Sequence, residues 1–502
     1  MNISRREFLK VIGILAASGC AAGGCEPLAS YLSGPGDKYQ SLIPVSPLQR
    51  LILNRISFGA RNSDLKRIAE IGTAAYLEEQ LSPEGIRDTR TNLLLRRFDV
   101  IDMDADTLRG RADKLFDNYD PNLVLDPFRQ ATLLRQVYSE RALYEVMVEF
   151  WTDHFNIAVS KGDCWFLKVV DDREVIRKNA LGHFRSLLGA SAKSPAMLIY
   201  LDNQENHRDA PNENYARELL ELHTLGVDGG YSQEDVMSLA RCLTGWGVKE
   251  HFWRGEIVFR GDDHSAGDKT LLGHPIQPAG KAELDQVLDL LAAHPATARY
   301  ISSKLAQRFL ADDPPPEITS KASQVFLDTG GDIQAVLRVI LLDGLPLVQN
   351  GSFPLKYKRP LNYLLSALRI CGADTDGGTA LQGSLKAMGQ PLYDWPTPDG
   401  YPDTGAAWQG NLLPRWRFAL DLTSNQIPGT RFNLASFLDG RENEIPSGFL
   451  KRAARRLLGS SLEPDIEKEL LVTIQPIMNE FPRQAAELVI AGLLASPHFQ
   501  WR

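Results

Sequence analysis

The densest concentration of chemistry-bearing side chains is Asn212-Glu213-Asn214-Tyr215-Ala216-Arg217-Glu218-Leu219-Leu220-Glu221-Leu222-His223. At about 100° per residue, Ala216, Leu219, Leu220 and His223 share one side of a helix, and Asn214, Arg217, Glu218 and Glu221 share the other. Two carboxylates three residues apart, beside an amide and a guanidinium, suit a cation site or an acid/base pair. The same spacing also fits a solvated face on which Arg217 pairs with Glu221, with His223 as a hydrogen-bonded core histidine. A second group, Glu149-Phe150-Trp151-Thr152-Asp153-His154-Phe155-Asn156, ends an amphipathic stretch. There His154 reads as a metal ligand or general base oriented by Asp153 or Asn156, or as a histidine complementing the helix dipole. A third, Asp262-Asp263-His264 with Lys269, offers oxygen and imidazole donors in a loop. Trp395-Pro396-Thr397-Pro398-Asp399-Gly400-Tyr401 is either an aromatic platform for a sugar or a rigid loop packed on the core.

The elements that must position these groups are helical. Leu133, Val137, Tyr144, Met147, Val148, Trp151 and Phe155 recur at three-, four- and seven-residue steps, the mark of a wide apolar helix face. Similar patterns cover 62–82, 174–190, 213–226, 232–244, 281–310, 319–342, 359–371, 411–422, 446–457 and 483–495. Ser232 before Gln233-Glu234-Asp235 is an N-cap with acidic first-turn residues. Residues 246–276 depart from the pattern: Phe252-Trp253 and Ile257-Val258-Phe259 flank Arg254-Gly255, which predicts a small β-hairpin near 250–276. The expected fold is therefore mainly α: one large multi-helix domain over 48–502 with a hairpin inserted, over half helix and under a tenth strand.

Familiar catalytic signatures are missing. The sequence has no HExxH, no ExxH step, no Walker loop, no G-x-S-x-G elbow and no G-x-G-x-x-G loop. The formal charge of −8, without a long basic run, argues against nucleic-acid binding. Cys164, Cys242 and Cys371 are widely spaced, which fits neither a disulfide framework nor a CxxC metal knuckle. They read as small buried hydrophobes.

The first 25 residues read as a signal. Ser4-Arg5-Arg6-Glu7-Phe8-Leu9-Lys10 precedes a short apolar run and then small residues from Ala16 to Gly24, and the arginine pair is the address of the twin-arginine route. Cys20 after Ala17-Ser18-Gly19 is the expected lipid acceptor, with Cys25 as the second candidate. A tether covers 26–47. No other apolar stretch reads as long enough to span a bilayer, so membrane attachment is expected through the N-terminal lipid alone.

Seven strings, taken in order, resemble the bacterial family catalogued as domain of unknown function 1800. They are Leu53-Asn54-Arg55-Ile56-Ser57-Phe58-Gly59, Phe150-Trp151 with His154-Phe155, Pro195 to Asp202, Glu213 to Gly226 with Gly229 and Tyr231, Leu243 to Trp246, His264 with Gly267 and Lys269, and Gly389 to Gly400. One departure is Thr152-Asp153 where the family pattern has His-Asn, which weakens a two-histidine metal site. The resemblance implies a mainly helical exported protein, frequently paired with a second exported protein similar to alkaline phosphatases and sulfatases; it brings no reaction.

The expected function is an exported hydrolase or lyase acting on an envelope or extracellular polymer. Its polar site would draw on His154, Glu218, Glu221, Arg217, Asn214 and His264. The cofactor is left open, with a divalent metal as the candidate. One rival reading is a non-catalytic binding or assembly partner of the exported sulfatase/phosphatase-like protein. Another is a redox protein loaded with a cofactor before export. The expected location is the periplasm, free or as a membrane-anchored lipoprotein. Replacing both Arg5 and Arg6 by Lys should abolish twin-arginine routing, and Cys20→Ser should release an unlipidated form. Normal export of the double variant, followed by fractionation and immunoblotting, would refute the routing.

Overall fold

Helices form where the apolar period is 3.6, and they stop where glycine, proline or a capping side chain interrupts it. A computed structural model describes residues 43–112, 119–249, 255–352, 355–438 and 446–502. The signal, Cys20, Cys25, most of the tether and Phe252-Trp253 lie outside these. The fold is mainly α, 65% helical, with only small two-stranded sheets.

Several long periodic stretches are two helices each. The 281–310 stretch divides into Glu283–Ala292 and Pro295–Phe309, because Pro295 starts a new helix and the His294 side chain accepts from the Ala296 amide as its N-cap. The 319–342 stretch breaks after Asp328 at Gly330-Gly331, and Asp332 caps Ile333–Val339. The 62–82 stretch breaks at Gly72. Pro464–Glu480 is a helix that the periodic pattern did not single out. The expected hairpin region contains two antiparallel ladders, Trp246–Val248 with Ile257–Phe259 and Lys269–Leu271 with His274–Ile276. A third, two-residue ladder joins Asp374–Thr375 to Thr430–Arg431.

One hydrophobic cluster runs from Leu51 to Phe499. The Ala142–His154 helix contributes Leu143, Val146, Met147 and Trp151 to it, each fully buried, and the Trp151 indole donates to the Ala180 carbonyl at 2.9 Å. Cys164, Cys242 and Cys371 are buried and unpaired, and burial pushes each thiol up to about 12, which removes thiolate reactivity near neutral pH. Contrary to the reading of apolar stretches, Ile333–Gly351 is long and apolar enough to cross a membrane by length and composition. Ile333, Val336, Leu337, Ile340, Leu341, Leu345 and Val348 are nevertheless buried in this core, and core helices pass the same test.

Candidate acid–base site

Helix spacing sets the site. Along Ala142–His154, Glu145, Glu149 and Asp153 fall at four-residue steps and so share a flank. Along Pro295–Phe309, Tyr300, Lys304 and Arg308 do the same. The Arg177 guanidinium holds Glu145 through two nitrogens, at 3.0 and 3.1 Å. Glu149, nearly fully buried, is clamped between the guanidinia of Arg308 and Arg359. Arg359 also reaches Asp153 at 2.7 Å, and Arg308 reaches Asp403 at 3.3 Å. Lys356 pairs with Asp312 at 2.8 Å and donates to the Asp403 carbonyl at 2.9 Å. Beneath them Arg55 is fully buried, and none of its side-chain nitrogens is hydrogen-bonded among the described residues. Burial lowers it to about 9 despite the fields of Asp312 and Asp403. Burial acts to raise Asp403, but Lys356, Arg308 and Arg359 outweigh it and hold that carboxyl well below its usual range.

The loop from Gly389 to Trp408 closes over this network. The Asn156 amide donates to the Trp395 and Thr397 carbonyls at 3.0 and 2.7 Å, and the Tyr200 hydroxyl donates to the Pro396 carbonyl at 3.0 Å. Tyr401 and Trp408 are buried against Tyr357. At Gly400, φ is +74°, and a Cβ would overlap the Asp153 carbonyl; only glycine lets the loop lie on the helix end there. The tip residue Asp399 accepts from the Trp395 indole at 3.0 Å. A cleft of about 380 Å³ opens between loop and helix, lined in part by Glu149, Thr152, Asp153, Gln390 and Tyr401.

Lys304 is the group that sequence reasoning missed. Its ammonium lies 5.4 Å from the Tyr300 ring centre, with no hydrogen bond or ion pair among the described residues. Burial lowers it to about 8, against the pull of Asp153, Asp403 and Asp399. Burial likewise raises Asp153 to about 8, opposed by the charges of Arg308 and Lys304. Glu218, half-buried, is raised first by burial and then by Glu221 and Asp399. Glu221 accepts from the Tyr231 hydroxyl at 3.1 Å. Asp153 and Asp399 act electrostatically on Lys304, and Asp399 acts on Glu218, so the helices Ala142–His154, Pro295–Phe309 and Asn214–Glu221 and the loop form one electrostatic unit. The signal for Lys304 was the Tyr300, Lys304, Arg308 row, hidden inside a stretch read only for its apolar period.

His154 and His223 lie behind this unit, 2% and 1% exposed. His154 Nε2 is 3.1 Å from the His223 carbonyl oxygen, and the ring centres are 6.2 Å apart. His154 is therefore oriented by a backbone carbonyl rather than by Asp153 or Asn156. Burial and the nearby Lys304 charge push His154 well below its usual value and His223 to about 3. At Gly226, φ is +83°, and a Cβ would meet the Tyr300 ring at 2.9 Å, so this glycine lets the Tyr300 helix approach.

Three other expected site residues make different contacts. Arg217 is partly exposed and pairs back with Glu213 at 2.8 Å and with Gln233 at 2.9 Å, not with Glu221. Asn214 is exposed and donates to the Leu201 carbonyl at 3.1 Å. His264 belongs to a separate buried group: Nδ1 lies 2.8 Å from the Thr244 carbonyl and Nε2 3.1 Å from Glu283, which Lys269 also meets at 2.6 Å. This group joins the hairpin to the helix Glu283–Ala292, and none of its polar contacts involves His154, Glu218 or Glu221. Among the described residues, no three His, Cys, Asp or Glu side chains come together as a metal site.

A mainly helical protein with this buried charge network and loop-covered acid–base group is the class that the geometry defines. The chain belongs to the family described as protein of unknown function (DUF1800), whose sequence model matches residues 51–501. No curated protein and no solved structure matches it.

Two outcomes test this geometry. Buried neutral histidines refuse protons that the unfolded chain accepts, so their contribution is intact above about pH 6.5 and is lost as pH falls toward the folded values. Between pH 7 and pH 5 the wild type should lose roughly 3–4 kcal/mol more stability than a His154→Gln/His223→Gln variant, measured by urea unfolding; equal losses would exclude the assignment. Glu149→Gln leaves Arg308 and Arg359 short of a counter-charge and should cost about 3–5 kcal/mol, whereas Arg217→Gln should stay within about 0.5 kcal/mol.

Proposed function

We propose that this chain is an exported enzyme, a hydrolase or lyase acting on an envelope or extracellular polymer. The observation that carries the reading is Lys304: a partly exposed ammonium with no hydrogen bond or ion pair among the described residues, facing the charges of Asp153 and Asp399 and moved to about 8. Perturbed groups of this kind concentrate at catalytic sites. With that value an appreciable fraction of Lys304 is neutral near pH 7, so it serves as general base toward water or toward an acidic C–H of the substrate. Glu218, raised by burial and by Glu221 and Asp399, retains a proton longer than an exposed glutamate and delivers it to the leaving oxygen. The Gly389–Trp408 loop excludes water and offers the partly exposed Trp395 to a sugar or similar ring. His154 and His223 hold the floor of the site.

The route to the substrate is part of the same proposal: twin-arginine export to the periplasm, with the mature chain free or held by lipid on Cys20. A second reading, the non-catalytic partner of an exported sulfatase/phosphatase-like protein, draws support from the helix Leu412–Thr423. It exposes Leu413, Trp416 and Leu420 at three- and four-residue steps, an apolar row of the kind that marks interaction surfaces.

Turnover measured on a panel of peptidoglycan, polysaccharide and polyester substrates separates the two. The enzyme reading expects Lys304→Met and Glu218→Gln each to reduce turnover about 100-fold or more, with circular dichroism unchanged, and Arg217→Gln to leave it intact. Absence of turnover across the panel, together with loss of partner co-purification in Trp416→Glu, would favour the assembly reading.

A further inference from the structure

The Lys356–Arg359 segment also borders a second, open pocket, lined in part by Lys358, Arg50, Leu457 and Trp501. Its position follows from the backbone. Lys356 and Arg502 exchange amide hydrogen bonds at 3.1 and 2.9 Å, and the Lys358 amide donates to the Gln500 carbonyl at 2.7 Å. The Arg415 guanidinium holds the Lys358 carbonyl at 2.8 Å. Lys358 is thereby fixed while its neighbour Arg359 serves Glu149.

The lining is one-sided in charge. Arg50, Lys358, Arg456 and His498 contribute basic groups, and among the described residues no Asp or Glu lines the pocket. Lys358 is 5% exposed, yet its ammonium makes no hydrogen bond or ion pair among the described residues. Its nearest recorded partner is the Phe499 ring, 3.5 Å from ammonium to ring centre. Arg50, on the helix Pro47–Ile56, is partly buried and likewise has no side-chain ion pair among the described residues. A buried ammonium without a counter-charge is costly, and a ring face replaces only part of what an anion would supply. Asn54 and Asn62 also line it, and Leu65, Leu457, Leu458 and Trp501 form the apolar part of the wall.

We infer that this pocket binds an organic oxyanion: a phosphate or sulfate group held by Lys358 and Arg50, joined to an apolar or aromatic body that packs on Trp501 and the leucines. Guanidinium and ammonium donors suit tetrahedral oxyanions, through charge-assisted hydrogen bonds. The apolar wall has no use for a bare inorganic ion. The site is distinct from the Lys304 group and does not depend on the proposed reaction.

Calorimetry on the full chain at fixed ionic strength tests the inference with phenyl phosphate, phenyl sulfate, inorganic phosphate and chloride. One of the phenyl esters should bind, and inorganic phosphate should bind at least about fivefold more weakly, since the apolar contacts are lost. Which ester binds tighter identifies the head group. Arg50→Gln, at a partly exposed position that folding tolerates, and Lys358→Gln should each weaken binding about tenfold or more. Lys304→Met should leave it unchanged. Absence of ester binding, equal affinity for ester and inorganic phosphate, or wild-type affinity in Arg50→Gln would overturn the inference.

Discussion

Glu149 held between Arg308 and Arg359 is the interaction on which the rest of the molecule is arranged. Removing three charges from water costs several kcal/mol per ion, and only close, multiply hydrogen-bonded geometry recovers it. That requirement fixes three distant pieces of chain against one another: the Ala142–His154 helix, the Pro295–Phe309 helix, and the segment entering Pro360–Cys371. Asp403 then draws the Gly389–Trp408 loop onto the same guanidinia, and Gly400 seats it on the end of the first helix. The loop is long and has little regular structure, but it is not loosely held, because its carbonyls and aromatic rings are used at almost every step.

The network is not neutral on its own terms. Arg55, Arg308, Lys356, Arg359 and Arg502 face Glu149, Asp153, Asp312 and Asp403, so among the described residues one cation exceeds the anions. Arg55, without a hydrogen-bonded side-chain nitrogen, and Arg502, pushed well down by burial and neighbouring arginines, carry that imbalance. Burial, not this surplus, perturbs the groups at its edge, since the surrounding charges oppose both shifts. Asp153 and Lys304 both move toward the middle of the pH scale because each is desolvated before it is compensated. Chemistry at neutral pH needs groups in that range, and a solvated helix face does not supply them.

The strings that carry the family resemblance now have separate physical jobs. Leu53–Gly59 brings Arg55 into the charge network, and Gly59 packs on Ser366. Phe150–Phe155 supplies Trp151 and His154 to the floor, while Tyr200 pins the Pro-aromatic loop. Glu218, Glu221 and His223 come from one short helix and the turn after it. Leu243–Trp246 and His264–Lys269 work together elsewhere, in the hydrogen-bonded group that closes the hairpin.

Local periodicity was enough to determine the helical class, the Ser232 cap, the place of the β insertion and the burial of the three cysteines, because each depends on neighbours within a few residues. It also sorted His223 onto the inner side of its helix and left Arg217 on the outer. Which helical faces meet is a different kind of question. Glu145, Glu149 and Asp153 look like any acidic flank until Arg177, Arg308 and Arg359 arrive from 32 to over 200 residues away. Lys304 looks like any surface lysine until Pro295 turns its helix inward. His264 and His154 read alike in the sequence and part company in space, since Glu283 claims the first and the His223 carbonyl the second. Desolvation is what turns these ordinary charges into perturbed ones, and desolvation belongs to the packed molecule rather than to any stretch of its sequence.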